Sequence, residues 1–191
     1  MLTLDGLRIA RGDFTLSADM TLEPGRRYAV IGPSGSGKST LLGALCGFVP
    51  VAAGRVLCDG EEITERHPGR RGMTMLFQDN NLFPHLTVAQ NVGLGLRPDL
   101  RLQGEDHARI EAALARVGLE AHAARRPGTL SGGQQSRAAL ARVLVGRQPW
   151  VLLDEPFAAL GPALRVEMLE LLGDLAAETG AGLIMVTHAP D

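Results

Sequence analysis

The sequence predicts an α/β fold with a mostly parallel core sheet, an antiparallel β edge at the N-terminus and a helical subdomain inserted between two core strands. Three observations carry that prediction. Short continuous apolar runs at 28–31, 73–77, 150–153 and 183–186 have the texture of strands buried on both faces of a parallel sheet. Segments of helical spacing over 39–48, 104–117, 131–146 and 162–179 alternate with them. Between the first run and the first such segment stands a glycine-rich turn, Gly32-Pro33-Ser34-Gly35-Ser36-Gly37-Lys38-Ser39.

In chain order, Leu2-Thr3-Leu4, Leu7-Arg8-Ile9 and Phe14-Thr15-Leu16-Ser17 alternate apolar and polar residues, as half-buried strands of an antiparallel edge do. The 28–31 strand follows, then the glycine turn and the 39–48 helix. Cys46 sits in that helix and Cys58 in a strand-like stretch; neither has a spaced Cys or His partner, so both read as small core fillers. Residues 87–96 read as helix, with Gly93 and Gly95 weakening its end. The expected organisation is one domain, with an α/β core of residues 1–79 and 148–191 and a helical subdomain of residues 80–147.

A chain of 191 residues is long enough for one full α/β core. Its 45% apolar and 21% charged residues are an ordinary soluble composition, and a net charge of −2 offers no field to gather nucleic acid or anionic lipid. Arg66-His67-Pro68-Gly69-Arg70-Arg71 is the strongest basic run, and without interleaved aromatics it reads as a solvated loop. No window approaches the roughly 20 apolar residues a spanning helix needs. Asp5, Arg8 and Arg11 stand where a secretion signal would be apolar, so a cytoplasmic protein is expected, without nucleic acid or direct lipid insertion.

The glycine turn matches the phosphate-loop pattern in full and has the strand-loop-helix context that the pattern requires. Glycines let successive N–H groups curl toward phosphate oxygens, and the helix that follows adds its positive dipole end. Gly32, Pro33, Ser34, Gly35, Ser36, Gly37, Lys38, Ser39 and Thr40 are therefore the expected nucleotide-phosphate-binding stretch. Lys38 would reach the β- and γ-phosphates, and the Ser39 hydroxyl would coordinate Mg²⁺. Asp154 and Glu155 close an apolar strand, where carboxylates call for a metal or hydrogen-bond donors; a capping pair on an ordinary loop is the alternative. In a phosphate-loop enzyme such an Asp holds Mg²⁺ and the adjacent Glu polarises the attacking water. Gln78 and His188 each end a strand on the same expected edge, Gln78 as a neutral amide for Mg²⁺ or water.

Further on, Leu130-Ser131-Gly132-Gly133-Gln134-Gln135 precedes a helix of Ala, Leu and Arg. With the phosphate loop, Gln78, Asp154-Glu155 and Val186-Thr187-His188, it stands in the order of, and resembles, the ATPase subunits of ATP-binding cassette (ABC) transporters over essentially the whole chain. The resemblance implies that Ser131, Gly132, Gly133 and Gln134 meet the nucleotide of a second subunit, so that two copies close around two ATP molecules. It makes Glu155 the general base, with Lys38 and His188 acting on the γ-phosphate.

Residues 75–96, with Asn80-Asn81-Leu82-Phe83 and Gly93-Leu94-Gly95-Leu96, resemble bacterial thiamine importer ATPases more narrowly. Related ATPases for iron, molybdate, sulfate and polyamines share much of this pattern and stay open, as does a soluble ABC ATPase. Leu82, Phe83, Pro84 and Leu86 form an apolar cluster suited to a short helix of a membrane permease docking at 78–86; burial against the chain's own helices is the alternative. The resemblance then implies a peripheral protein on the cytoplasmic face of the membrane, reached indirectly by an extracytoplasmic solute-binding protein. Three departures from the family stand out. Ala10-Arg11-Gly12 occupies the place of the adenine-stacking aromatic, leaving Arg11, or Phe14, to stack on adenine. Gly161 replaces an Asp before Pro162, which costs little in helix capping. The chain ends three residues past His188, where the family continues, so a truncated C-terminal part with lower stability is expected.

Overall fold

The computed structural model describes residues 1–157 and 160–187, which divide into two compact units. The first comprises Met1–Met75, Gln148–Glu155 and the segment from Thr179 onward; the second comprises Leu76–Arg147 and Pro156–Glu178.

Two four-stranded sheets build the first unit. In one, β1 (Leu2–Arg11) pairs antiparallel with β2 (Phe14–Leu22) and with β4 (Ala53–Cys58), which carries the short β5 (Glu61–Glu62). The two alternating stretches at the N-terminus are one strand, since β1 runs through a register shift between Leu4 and Leu7. That shift keeps Leu2, Leu4, Leu7 and Ile9 all on the buried face, which strict alternation across 2–9 would not. In the other sheet the order is β3 (Arg27–Ile31), β8 (Gly182–Thr187), β7 (Trp150–Asp154), β6 (Met73–Leu76), and β8 pairs parallel with both β3 and β7. Helix α1 (Lys38–Cys46) packs its Leu42 and Leu45 into one core with Leu4 and Ile9 of β1, Trp150 and Leu152 of β7, and Ile184 of β8.

Burial corrects one expectation. The central strands β7 and β8 are buried nearly throughout, but β3 alternates exposed and half-buried residues, and Ile31 is 56% exposed. The reason is position: β3 is an edge strand of its sheet, and only Tyr28 and Val30 turn toward the core. The other edge, β6, is likewise half-buried.

The second unit is helical: α2 (Val88–Gly93), α3 (Gly104–Arg116), α4 (Gly132–Gly146) and most of α5 (Pro162–Thr179). Helices α2, α3 and α4 pack against one another over Val88, Val92, Ile110, Leu114 and Leu140. Capping residues set the starts of α2 and α4, where Thr87 with Gln90 and Ser131 with Gln134 form reciprocal capping boxes. Helix α2 is shorter than the 87–96 expected from the sequence. It stops at Gly93, and the chain then passes so close to α4 that a Cβ on Gly95 would lie 2.3 Å from the Arg142 carbonyl oxygen. Arg116 grips Glu178 through both terminal nitrogens, and Arg137 donates to Glu167, tying α3 and α4 to α5. No helix among the described residues is long and apolar enough to cross a membrane.

Candidate active site

The chain between β3 and α1 curls around its own N–H groups. Gly35 and Gly37 have φ of 78° and 91°, in the left-handed region. A Cβ on Gly37 would also lie 2.4 Å from Cζ of Phe14, so the ring and the loop approach as they do because the residue is glycine. Gly37 is the N-cap of α1, and with no side chain it leaves the first N–H groups of that helix without a side-chain acceptor. Such a terminus is an anion site by its own electrostatics.

Lys38 is only 7% exposed, and its Nζ donates to the carbonyls of Gly32 and Pro33 at 2.8 and 2.9 Å. A buried ammonium needs partners, and here the loop itself supplies them. Ser39 Oγ donates to Asp154 Oδ1 at 2.8 Å, which brings the end of β7 to the start of α1 across 115 residues of sequence. Glu155 follows with φ 46°, its N–H donating to the Val186 carbonyl at 3.2 Å, so that its position is fixed by the parallel pairing of β7 and β8. The first unit thus assembles Gly32 to Thr40, Asp154 and Glu155. Arg11 ends β1 opposite Phe14 and is exposed, whereas Phe14 is the residue of that pair that touches the loop. His188 lies outside the described residues.

The other candidates belong to the second unit. Gln78 is exposed in a turn that begins after β6 ends at Leu76. Downstream of it Phe83 and Pro84 are exposed, while Leu82 and Leu86 are half-buried. Ser131 caps α4: its Oγ accepts from Gln134 N–H at 3.3 Å, and Gln134 Oε1 accepts from Ser131 N–H at 3.0 Å. Gly132 faces open space, and Gly133 passes beneath Leu164.

Two residues that sequence reasoning missed hold the 78–87 segment in shape. Asn91 is fully buried, accepts from Phe83 N–H through Oδ1, and donates through Nδ2 to the carbonyls of Phe83, Leu86 and Thr87. Arg142 donates to the carbonyls of Asn81 and Asn80 at 2.8 and 2.9 Å, and burial lowers its pKa. Both asparagines have positive φ, a conformation asparagine tolerates better than most residues. The available signal was a polar side chain within an apolar helical stretch, as Asn91 is between Val88 and Val92. The cysteines are core groups as expected; burial pushes the Cys46 thiol up to about 12, against the opposing effect of Arg71, and raises that of Cys58. No cluster of three His, Cys, Asp or Glu residues able to hold a metal occurs among the described residues.

The sequence pattern of the ABC transporter family matches residues 16–158. The chain belongs to that family. Across all 191 residues it is 59% identical to the thiamine import ATP-binding protein ThiQ of Cereibacter sphaeroides, of which it covers 83%. It is 47% identical to the ThiQ of Yersinia pestis, again over its whole length and 81% of that protein. Among solved structures, the dimer of the ATP-binding cassette MJ0796 bound to ADP and Pi matches with a TM-score of 0.86 at 31% identity, over 99% of this chain and 88% of that one. CbiO1 from Clostridium perfringens, part of the ABC transporter complex cbiONQ, matches with a TM-score of 0.84 at 32% identity, over 98% and 78%. This ABC ATPase therefore has the fold the sequence predicted, with its phosphate loop, β7 carboxylates and signature stretch on the elements where that prediction set them.

Proposed function

We propose that this ABC ATPase is the ATP-hydrolysing subunit of an importer for thiamine or thiamine phosphates. The 59% identity to a thiamine import ATP-binding protein over the whole chain supports the cargo. The joining of Lys38, Ser39 and Asp154 around one uncapped helix N-terminus carries the chemistry.

ATP binding moves the Lys38 ammonium from the Gly32 and Pro33 carbonyls to the β- and γ-phosphates, while the loop N–H groups and the dipole of α1 hold the same oxygens. The hydroxyl of Ser39 and the carboxylate of Asp154, already 2.8 Å apart, are the hard oxygen donors that would hold Mg²⁺. A Mg²⁺ held there would supply charge neutralisation at the phosphates. Glu155 takes the proton of the attacking water, and His188 contacts the γ-phosphate. Arg11 or Phe14 stacks on adenine. Ser131, Gly132, Gly133 and Gln134 complete the site of a second copy, at a second helix N-terminus aimed at the same anion. The 78–86 segment receives a helix of the membrane permease, placing the protein on the cytoplasmic face of the membrane; the permease and an extracytoplasmic binding protein select the cargo.

Thiamine uptake by cells whose only copy carries Glu155→Gln tests this reading. Uptake should fall to background while the protein level is kept; unimpaired uptake overturns it.

A further inference from the structure

His122 ends a short 3-10 turn, Glu120–His122, in the second unit, and its two ring nitrogens are in unequal settings. Nε2 lies 3.2 Å from Nε2 of Gln134, whereas Nδ1 is buried without a hydrogen-bond partner among the described residues. The other end of the Gln134 amide is engaged as well: Ser131 N–H needs an oxygen, and Gln134 Oε1 supplies it at 3.0 Å. The amide NH2 is therefore the end that faces the imidazole. Two donors cannot face each other at that distance, so Nε2 of His122 is the acceptor and the ring proton sits on the buried Nδ1. A histidine of purely structural use would place its proton where an acceptor waits. This one keeps its Nδ1–H unpaired and offers its lone pair to Gln134.

We propose that His122 is a positioning residue for the signature. Through its Nε2 acceptor it locks the Gln134 amide in the one orientation that caps Ser131. The reciprocal box holds the Ser131 rotamer by using its Oγ as an acceptor, which leaves the hydroxyl proton to donate to a phosphate oxygen. Without the imidazole lone pair the amide keeps only its bond from Ser131 N–H, and the box that aims the serine is weakened. The inference rests on the reading of Ser131 as the contact to the nucleotide of a second copy.

The test is steady-state ATP hydrolysis by the full chain, with ¹⁵N spectra of the imidazole. His122→Phe should lower kcat about fivefold to tenfold, the effect of losing one helix cap at the reacting group, with KM for ATP unchanged because the phosphate loop still binds it. His122→Gln restores an oxygen acceptor and should recover kcat to within about twofold. Combining His122→Phe with Gln134→Leu should cost no more than Gln134→Leu alone, because both remove the same hydrogen bond. The spectra should show the Nδ1–H tautomer. Unchanged kcat in His122→Phe, multiplying losses in the double variant, or an Nε2–H tautomer overturns the proposal. If His122→Phe does not fold, His122→Gln and the tautomer of the unaltered protein decide. Ser131→Ala separates the two readings: full activity in that variant refutes the role of Ser131 itself, whereas its loss alongside an active His122→Phe refutes His122 alone.

Discussion

Two helix N-termini, those of α1 and α4, are built by opposite local means. Helix α1 begins at a glycine with left-handed φ and no side-chain cap, so its first N–H groups remain available to an anion, and the nearby Lys38 is bound to loop carbonyls. Helix α4 begins at Ser131, whose side chain fills the cap with the help of Gln134, and Gln134 is braced by His122. In the proposed function the first terminus would bind through its uncapped N–H groups, and the second through one oriented hydroxyl. An empty terminus is a strong anion site in a single chain. A filled one contributes only where something else already holds the phosphate, which fits the proposed place of the signature at a neighbour's site.

The comparison can be broken most sharply at the chemical step. Glu155→Gln should reduce ATP hydrolysis by roughly a thousandfold, the scale of losing a general base, while nucleotide binding measured by calorimetry persists. Loss of binding along with turnover would show that Glu155 shapes the phosphate site itself. Ser131→Ala should cost about a hundredfold in turnover, as removal of one donor at a developing charge does, and leave the affinity of an isolated subunit for ATP unaltered. A weakened affinity in the isolated subunit would mean that α4 contacts nucleotide within its own chain.

A smaller effect probes the bracing of the second unit. Arg142→Met leaves the Asn80 and Asn81 carbonyls without their charged donor and should destabilise the protein by about 2 kcal/mol, or about 5 °C in Tm. An unchanged melt would show that the 78–86 segment keeps its shape through Asn91 alone. The smallest change is at the start of α5, where the Gly161 carbonyl accepts from Arg165 N–H and a Cβ on residue 161 would meet open space. Gly161→Asp should add a few tenths of a kcal/mol of capping, read as a rise of about 1 °C in Tm. Any fall in Tm would mean that the glycine is needed for more than space.

How far the sequence reached follows the same division. The phosphate loop was legible residue by residue, because a glycine turn between strand and helix is a local pattern whose geometry is written in its own residues. The chain order of β7, Asp154 and Glu155 was legible for the same reason. Burial of β3 was not, since an apolar run does not say whether its strand lies at the centre or the edge of a sheet. His122 and Arg142 were illegible because what defines them is a partner away from their own element: His122 meets Gln134 twelve residues on, and Arg142 reaches back 61 residues to Asn81, whereas Asn91 bonds residues four to eight positions before it and was open to reading as a polar residue in an apolar helical stretch. Helix α2 stops short of its predicted end because the close approach of the chain at Gly95 is to α4, which the local sequence does not show.

Neither terminus should make a working site without a second copy, and mixing two inactive variants tests this directly. Lys38→Ala disables the phosphate loop and Ser131→Ala disables the signature, so each alone should hydrolyse ATP at background. In a mixed pair, the intact loop of one chain meets the intact signature of the other, and activity should return to about a quarter of the unaltered rate when pairing is random. A mixture that stays at the sum of its two components would contradict the shared site.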